Sequence, residues 1–313
     1  MANNSRSILV NRDVLLGVIF ALLAALGFSA KAILVKLAYL DSVDAVTLLA
    51  LRMAFSLPFF AGIAFWVKRQ HTEPLSTQER MLMLVLGLIG YYLSSFLDFL
   101  GLQYISAGLE RLILFLYPTM TVILSALVYK RAIGKKIIAA MALCYVGIVL
   151  VFLHDLRLHD TGMKQGVILL GASLVFASTL SYSVYLVGAG HAIARIGAAR
   201  FTAYAMVVAS VASLLQFGAM RPMSALDLPL RVYELSIAMA IFSTVLPAFL
   251  LSHAIRRIGS GSTSLIGTIG PVSTIYMAHV FLNESISPLQ IAGASLVLVG
   301  VLIISMNSKR EGK

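Results

Sequence analysis

The stretch from Ser106 to Arg131, SAGLERLILFLYPTMTVILSALVYKR, has a counterpart 153 residues later in the stretch from Gly259 to Glu284, GSGSTSLIGTIGPVSTIYMAHVFLNE. Both stretches are apolar over about 20 residues, the length that an α-helix needs to cross the hydrocarbon of a bilayer. Each carries a proline near its middle, and neither shows the alternation of a transmembrane β-strand. The two stretches therefore predict a pair of related membrane-spanning helices.

The likeness between the two halves extends beyond these helices. The matched pairs are Pro118 and Pro271, Ala107 and Ser260, Gly108 and Gly261, Ile138 and Ile291, Gly147 and Gly300, and, at a shift of 149 residues, Gly17 and Gly166, and Ser29 and Ser178. Residues 1–155 and 156–313 are therefore predicted to be two repeats of five helices each. Because five is an odd number, the second repeat must lie inverted in the membrane, an arrangement that recurs in carriers.

The charges agree with the inversion. The basic cluster Lys130, Arg131 and Lys136 of the first repeat corresponds to Asn283, Glu284 and Leu289 in the second. A cluster of Lys and Arg marks a cytoplasmic loop, so its loss is expected where the repeat places a loop on the outer side.

The composition is that of a membrane protein. Hydrophobic residues make up 60% of the 313 residues and charged residues 12%, with a mean hydropathy of +0.95. Ten stretches are predicted to span a membrane: Val14–Lys36, Ala45–Val67, Met81–Gln103, Ala107–Tyr129, Lys136–Leu153, Gln165–Val187, Arg200–Ala219, Val232–His253, Ser262–Leu282 and Pro288–Met306. The first apolar stretch is too long for the core of a cleaved signal peptide, so we expect it to remain as a helix. The predicted fold is an all-α membrane protein.

The distribution of Lys and Arg gives the orientation and argues against one class of partner. The net charge is +11, but the basic residues separate apolar stretches instead of gathering on one surface, so no nucleic acid is expected to bind. Sixteen of the 24 Lys and Arg residues lie at one side of the predicted helices and four at the other. This bias predicts a multi-pass protein of the bacterial inner (plasma) membrane with both termini in the cytoplasm.

Several short motifs resemble those of a known family. The residues Ser106-Ala107-Gly108, Leu116-Tyr117-Pro118-Thr119 and Lys130-Arg131 are similar to the fourth-helix signature of the drug/metabolite transporter superfamily, EamA type. Ile269-Gly270-Pro271-Val272, Phe281-Leu282-Asn283-Glu284 and Gln290-Ile291-Ala292-Gly293 resemble its ninth-helix signature. The resemblance implies a ten-helix carrier with a central pocket between the repeats. One departure is Lys130-Arg131, where the family commonly has Glu-Arg.

The motifs of several enzyme classes are missing from the sequence. It has no phosphate-cradling loop of the Gly-Lys-Ser/Thr type and no recognised catalytic motif. The six His residues are scattered, and none forms a pair at zinc-ligand spacing on one helix. We therefore expect neither an enzyme, nor a metal site, nor a cofactor.

Charged residues inside apolar helices are the main candidates for function, because each is costly in a membrane unless it is paired or hydrated. They are Lys31, Arg52, Asp98, Glu110 and Arg111. In one interpretation they pair with each other and hold the first repeat together. In the other, the cation in excess binds an anionic group of the substrate, such as a carboxylate, and Arg111 and Arg52 are the first candidates.

Polar residues on the predicted third helix suggest a cavity. Tyr91, Ser94 and Asp98 recur at helical spacing, so they share one face, which must contact protein or water instead of lipid. On the sixth helix Tyr182 belongs to a similar stripe. We expect these residues to line a hydrated pocket, although close packing is the alternative.

The remaining predictions concern movement and cargo. Pro118 and Pro271 lie at matched positions and are either hinges for alternating access or fixed bends. The function predicted is secondary transport of a small molecule across the inner membrane by alternating access. The substrate predicted is an amino acid or a similar carboxylated metabolite, and export is one direction open to it. Asp98 or Glu110 could carry a coupling proton. The alternative is a lipid flippase or a carrier of lipid head groups.

Overall fold

The computed structural model describes residues 2–70, 75–130, 132–158 and 165–311. Within these ranges ten helices are long and apolar enough to cross a membrane. We number them spans 1 to 10 in chain order. The prediction of an all-α membrane protein with ten transmembrane helices is confirmed.

Six of the spans are single helices. They are span 1 (Ala2–Tyr39), span 2 (Ala45–Gln70), span 5 (Lys135–Leu158), span 6 (Gln165–Ile196), span 7 (Ala198–Met220) and span 10 (Pro288–Glu311). Most of them continue past the predicted limits, because helical hydrogen bonding does not stop where the apolar residues end.

Spans 3 and 8 each contain a π-helical turn. Span 3 consists of Thr77–Gly87, the π turn Leu88–Leu93, and Ser94–Leu102. Span 8 consists of Leu230–Ala240, the π turn Ile241–Val245, and a helix from Leu246 that changes direction at Gly259, whose φ is 77°. The two π turns begin 153 residues apart, which is the spacing of the sequence repeat.

Spans 4 and 9 are broken at positions that the repeat also relates. Span 4 consists of Ala107–Leu114 and Tyr117–Tyr129. Span 9 consists of the end of the helix Leu246–Gly267, after its change of direction at Gly259, and of Ile269–Leu282. Pro118 and Pro271 lie in the first turn of the second segment in each case, where a missing N–H is tolerated. The prolines therefore follow the breaks, whereas the sequence had suggested bends within continuous helices.

The two inverted repeats interlock. Span 5 packs against span 10, span 2 against span 7, span 1 against spans 8 and 9, and span 6 against spans 3 and 4. Exchanging the repeats leaves this set of pairs unchanged. Spans 5 and 10 cross at Gly147 and Gly293, where a Cβ on either residue would lie 2.5 Å from the carbonyl oxygen of the other, so only glycine fits.

Candidate substrate-binding site

A charge triad joins spans 1, 3 and 4 in the interior. The Lys31 Nζ lies 2.5 Å from the Asp98 Oδ2 and 3.0 Å from the Glu110 Oε1. Asp98 is 3% exposed and Glu110 is fully buried. One ammonium group is thus shared by two carboxylates.

Arg111 lies next to the triad but outside it. Within the described part of the chain, no carboxylate comes within ion-pairing distance of its guanidinium, and its buried Nε has no hydrogen-bond partner. The Arg111 Nη2 is 2.9 Å from the point where a Cβ on Gly270 would lie. Arg111 therefore crosses from the first repeat to the break in span 9 of the second repeat, where Ser29 donates a hydrogen bond to the Gly270 carbonyl at 3.0 Å.

Arg52 is the second arginine without an ion pair among the described residues. Its guanidinium carbon lies 5.1 Å from the centre of the Phe99 ring, a cation–π contact, and its buried Nε lacks a hydrogen bond. Arg52 is 7% exposed, whereas Arg111 is half-buried. Arg111 is thus the more accessible of the two.

Four tyrosines from spans 3, 4 and 6 form a tyrosine cluster: Tyr91, Tyr117, Tyr182 and Tyr185. Tyr182 and Tyr185 stack with ring centres 5.6 Å apart, and Tyr117 meets Tyr182 edge-on at 5.8 Å. The hydroxyl oxygens of Tyr91 and Tyr185 are 3.0 Å apart and hydrogen-bonded. Arg111 is within electrostatic range of Tyr117 in this cluster and of Glu110 and Asp98 in the triad.

Ser94, which the sequence suggested for the pocket, lies in the contact between spans 3 and 6. Its Oγ is 3.1 Å from the Ser178 Oγ, and Ser178 also donates to the Ser94 carbonyl at 2.7 Å. The polar stripe of span 3 therefore divides into Ser94, which is engaged by a neighbouring helix, and Tyr91 and Asp98, which belong to the tyrosine cluster and the triad. No group of His, Cys, Asp and Glu in the described ranges could hold a metal ion.

A family model for EamA-like transporters matches residues 15–153 and again residues 169–306. The chain belongs to the EamA-like transporter family. Each match covers one of the five-helix repeats, and together they include every residue of the triad, both arginines and the tyrosine cluster.

Relatives of this EamA protein are named as transporters. It is 28% identical to the uncharacterized transporter YcbK of Bacillus subtilis over 308 residues, 96% of each chain. It is 24% identical to an S-adenosylmethionine/S-adenosylhomocysteine transporter of Chlamydia trachomatis over 239 residues, 74% of this chain and 72% of the relative. A solved crystal structure with 16% sequence identity superposes with a TM-score of 0.60, covering 95% of this chain and 99% of the other, and supports the fold alone.

The sequence did not reveal one inter-repeat contact of this EamA protein. Glu284, which follows span 9, accepts a hydrogen bond from the backbone N–H of Ala107 at the start of span 4, at 3.1 Å. These residues are 177 positions apart, so only the fold brings them together. Burial raises the pKa of Glu284 above its ordinary 4.5, outweighing the hydrogen bond from Ala107 and the nearby positive charge of Lys36. Ser106 beside them donates to Asp155 through its N–H and its hydroxyl, at 3.0 and 2.9 Å.

Proposed function

We propose that this protein is a secondary transporter that moves a small carboxylated metabolite, of the amino-acid type, across the plasma membrane by alternating access. The observation that carries the proposal is Arg111, a half-buried cation without an ion pair among the described residues, located where the two repeats meet. An unpaired charge inside a membrane protein is costly, so its retention favours a role in binding. A guanidinium suits a carboxylate because it offers two parallel donors.

The neighbours of Arg111 suggest what else the substrate carries. The tyrosine cluster offers faces and edges for a flat or cationic group, and Tyr182 and Tyr91 are the residues we assign to this contact. The named substrates of the Chlamydia trachomatis relative have both an amino-acid carboxylate and an aromatic adenine. A compound of this kind would place its carboxylate on Arg111 and its ring on the tyrosines.

The charge triad supplies a site for coupling. Because Lys31 is shared by two carboxylates, one of them can take up a proton and leave the other paired with the ammonium, and we assign the coupling proton to Asp98 or Glu110. Arg52 and Arg111 are further positive charges near Asp98. Ser94 fixes span 3 against span 6 so that the site keeps its shape.

Movement is assigned to the repeats, residues 1–155 and 156–313. They would tilt against each other about the breaks that precede Pro118 and Pro271, with both termini in the cytoplasm. The matched positions of the breaks support this assignment, since alternating access needs two related states.

The test begins with a comparison of metabolites inside and outside cells with and without the protein. Each carboxylated compound that changes is then offered to proteoliposomes, with protein-free liposomes and the variant Arg111→Gln as controls. We expect uptake in the wild type alone. Uptake equal to that of protein-free liposomes for every such compound, with movement of a fluorescent lipid, would replace the proposal with the lipid carrier.

One structural feature bears on that alternative. An apolar cavity of about 280 Å³ lies between spans 4 and 6 and is lined by Leu124, Val128, Val184 and Gly188, among others. The side chains that line it carry no charge, so this opening offers no partner for a charged lipid head group.

A further inference from the structure

At one end of the bundle, a hydrogen bond and two ion pairs join the two repeats. We call this end the Ser106 end and define it by the loops that contain Asp44, Ser106, Arg221 and Glu284. At this end Glu284 accepts the hydrogen bond from the Ala107 N–H at 3.1 Å. An acceptor at this place satisfies backbone donors that a helix start leaves free, so the contact ties span 4 to span 9.

Two ion pairs join the repeats at the same end. The Arg221 Nε lies 3.0 Å from the Asp44 Oδ1, and the Arg231 Nε lies 3.8 Å from the Asp41 Oδ2. At the opposite end, the ion pair between the repeats within the described residues is Glu79 with Arg195, at 3.0 Å, and the Arg195 side chain is 76% exposed. The Arg221 and Arg231 side chains are 36% and 52% exposed, so the ion pairs at both ends are partly solvated and contribute little. In the hydrogen bond to Glu284, by contrast, the Ala107 donor is fully buried.

The residue type at the position of Glu284 differs between the two repeats. Lys130 and Asn283 are related by the repeat and adopt the same left-handed backbone, with φ of 52° and 53°. The next residue is Glu284 in the second repeat and Arg131 in the first, which lies outside the described residues. A guanidinium has donors but no acceptor, so it cannot accept a hydrogen bond from a helix N-terminus as a carboxylate does.

We propose that Glu284 is the residue that latches the transport pathway at the Ser106 end. This inference rests on the alternating-access function proposed above. Opening at the Ser106 end then requires the Glu284 carboxylate to leave the start of span 4. Loss of the latch should therefore make the Ser106 end open more often.

The test uses a cysteine beneath the latch. Ala278 is 1% exposed and lies in the same apolar cluster as Ala107, so Ala278→Cys in a Cys144→Ala background should react with an impermeant maleimide only when the end opens. In the purified full-length protein, Glu284→Ala should speed labelling by about tenfold, the effect of losing one hydrogen bond to a charged group. Glu284→Gln keeps an acceptor but loses the charge, so it should label closer to the wild-type rate than Glu284→Ala does. Glu234→Ala removes an exposed carboxylate from the same end and is the matched control.

A second variant removes the donor instead of the acceptor. Ala107 is the first residue of its helix and follows Ser106, whose ψ of 154° is compatible with a following proline. Ala107→Pro should therefore fold and label as fast as Glu284→Ala, and it decides the matter if gel filtration shows that Glu284→Ala does not fold. Wild-type labelling in Ala107→Pro, or equal labelling in Glu284→Ala and Glu284→Gln, would overturn the latch. Because no substrate is added, a failure to find transport would affect the proposed function and not this result.

Discussion

At the scale of the residue, the central feature is that three cations inside the spans differ in whether they have a carboxylate partner. Lys31 is bound by two carboxylates, while Arg52 and Arg111 have no ion pair among the residues described. The sequence identified all five charged residues, but it could not assign the pairs, because they depend on how spans 1, 3 and 4 pack. Charge counting alone would have allowed any of the three cations to be the one in excess.

The triad makes a prediction about stability. Lys31→Met leaves two buried carboxylates without their ammonium, and removal of one partner from a buried pair typically costs about 3–5 kcal/mol. Asp98→Asn leaves Lys31 paired one-to-one with Glu110, so it should cost much less. Thermal unfolding in detergent measures both, and Lys31→Met combined with Asp98→Asn should recover part of the loss. A Lys31→Met protein as stable as the wild type would show that the triad does not hold the spans together.

The contact between Gly270 and Arg111 leads us to expect that a larger residue at position 270 weakens substrate binding. A methyl group there would lie 2.9 Å from the Arg111 Nη2, and the flexible end of the arginine is the part that can move away. Gly270→Ala should therefore fold normally and bind substrate about tenfold more weakly, the effect of one charge-assisted hydrogen bond. Gly267→Ala, whose methyl group would meet no atom within 4 Å, is the matched control. Equal affinities in the two variants would separate Arg111 from the binding site.

At the scale of the element, the interruptions were only partly foreseeable. The sequence indicated irregularity at Pro118 and Pro271, because proline is the one residue with an obligatory effect on a helix. It gave no sign of the π turns at Leu88–Leu93 and Ile241–Val245, which contain no proline. Contacts with neighbouring spans set such turns. At Gly90, for example, a Cβ would lie 2.3 Å from the Tyr185 side chain, so the two helices approach closely.

The breaks make a prediction about movement. Pro118→Ala and Pro271→Ala supply a backbone N–H that can extend the following helix across the break, which should make spans 4 and 9 straighter and stiffer. If the breaks act as hinges, transport in proteoliposomes should slow while substrate binding survives. Transport at the wild-type rate in both variants would mean that the bends only shape the bundle.

At the scale of the whole molecule, the repeat explains the fold, and the site that we propose lies where the repeats differ. The pairing of spans is symmetric, but Lys31, Asp98 and Arg111 have no charged counterparts at the related positions of the second repeat, which are Leu180, Leu251 and Ser264. The symmetric part was predictable from the repeated sequence. The contact between Glu284 and Ala107 was not, because it joins one repeat to the other and has no local signal.

The orientation of the molecule is a further prediction. Both termini should be cytoplasmic, since Lys and Arg favour that side. Gln78 lies in the first turn of span 3 and Ser224 in the short 3-10 turn Met223–Leu226 before span 8, and both are exposed, at opposite ends of the bundle. With Cys144→Ala as the background, Ser224→Cys should react with an impermeant thiol reagent on intact cells, and Gln78→Cys should react only after the cells are opened. The reverse pattern would invert the topology.

The most direct measurement is the thermal stabilisation of the purified protein by carboxylated compounds, namely the proteinogenic L-amino acids and S-adenosylmethionine. At least one compound should stabilise the wild type. Arg111→Gln should weaken its binding by about 2 kcal/mol or more, roughly 30-fold, because the carboxylate loses its charged partner. The exposed control Arg256→Gln should respond as the wild type does. Undiminished stabilisation of Arg111→Gln would contradict the assignment of Arg111 to the substrate.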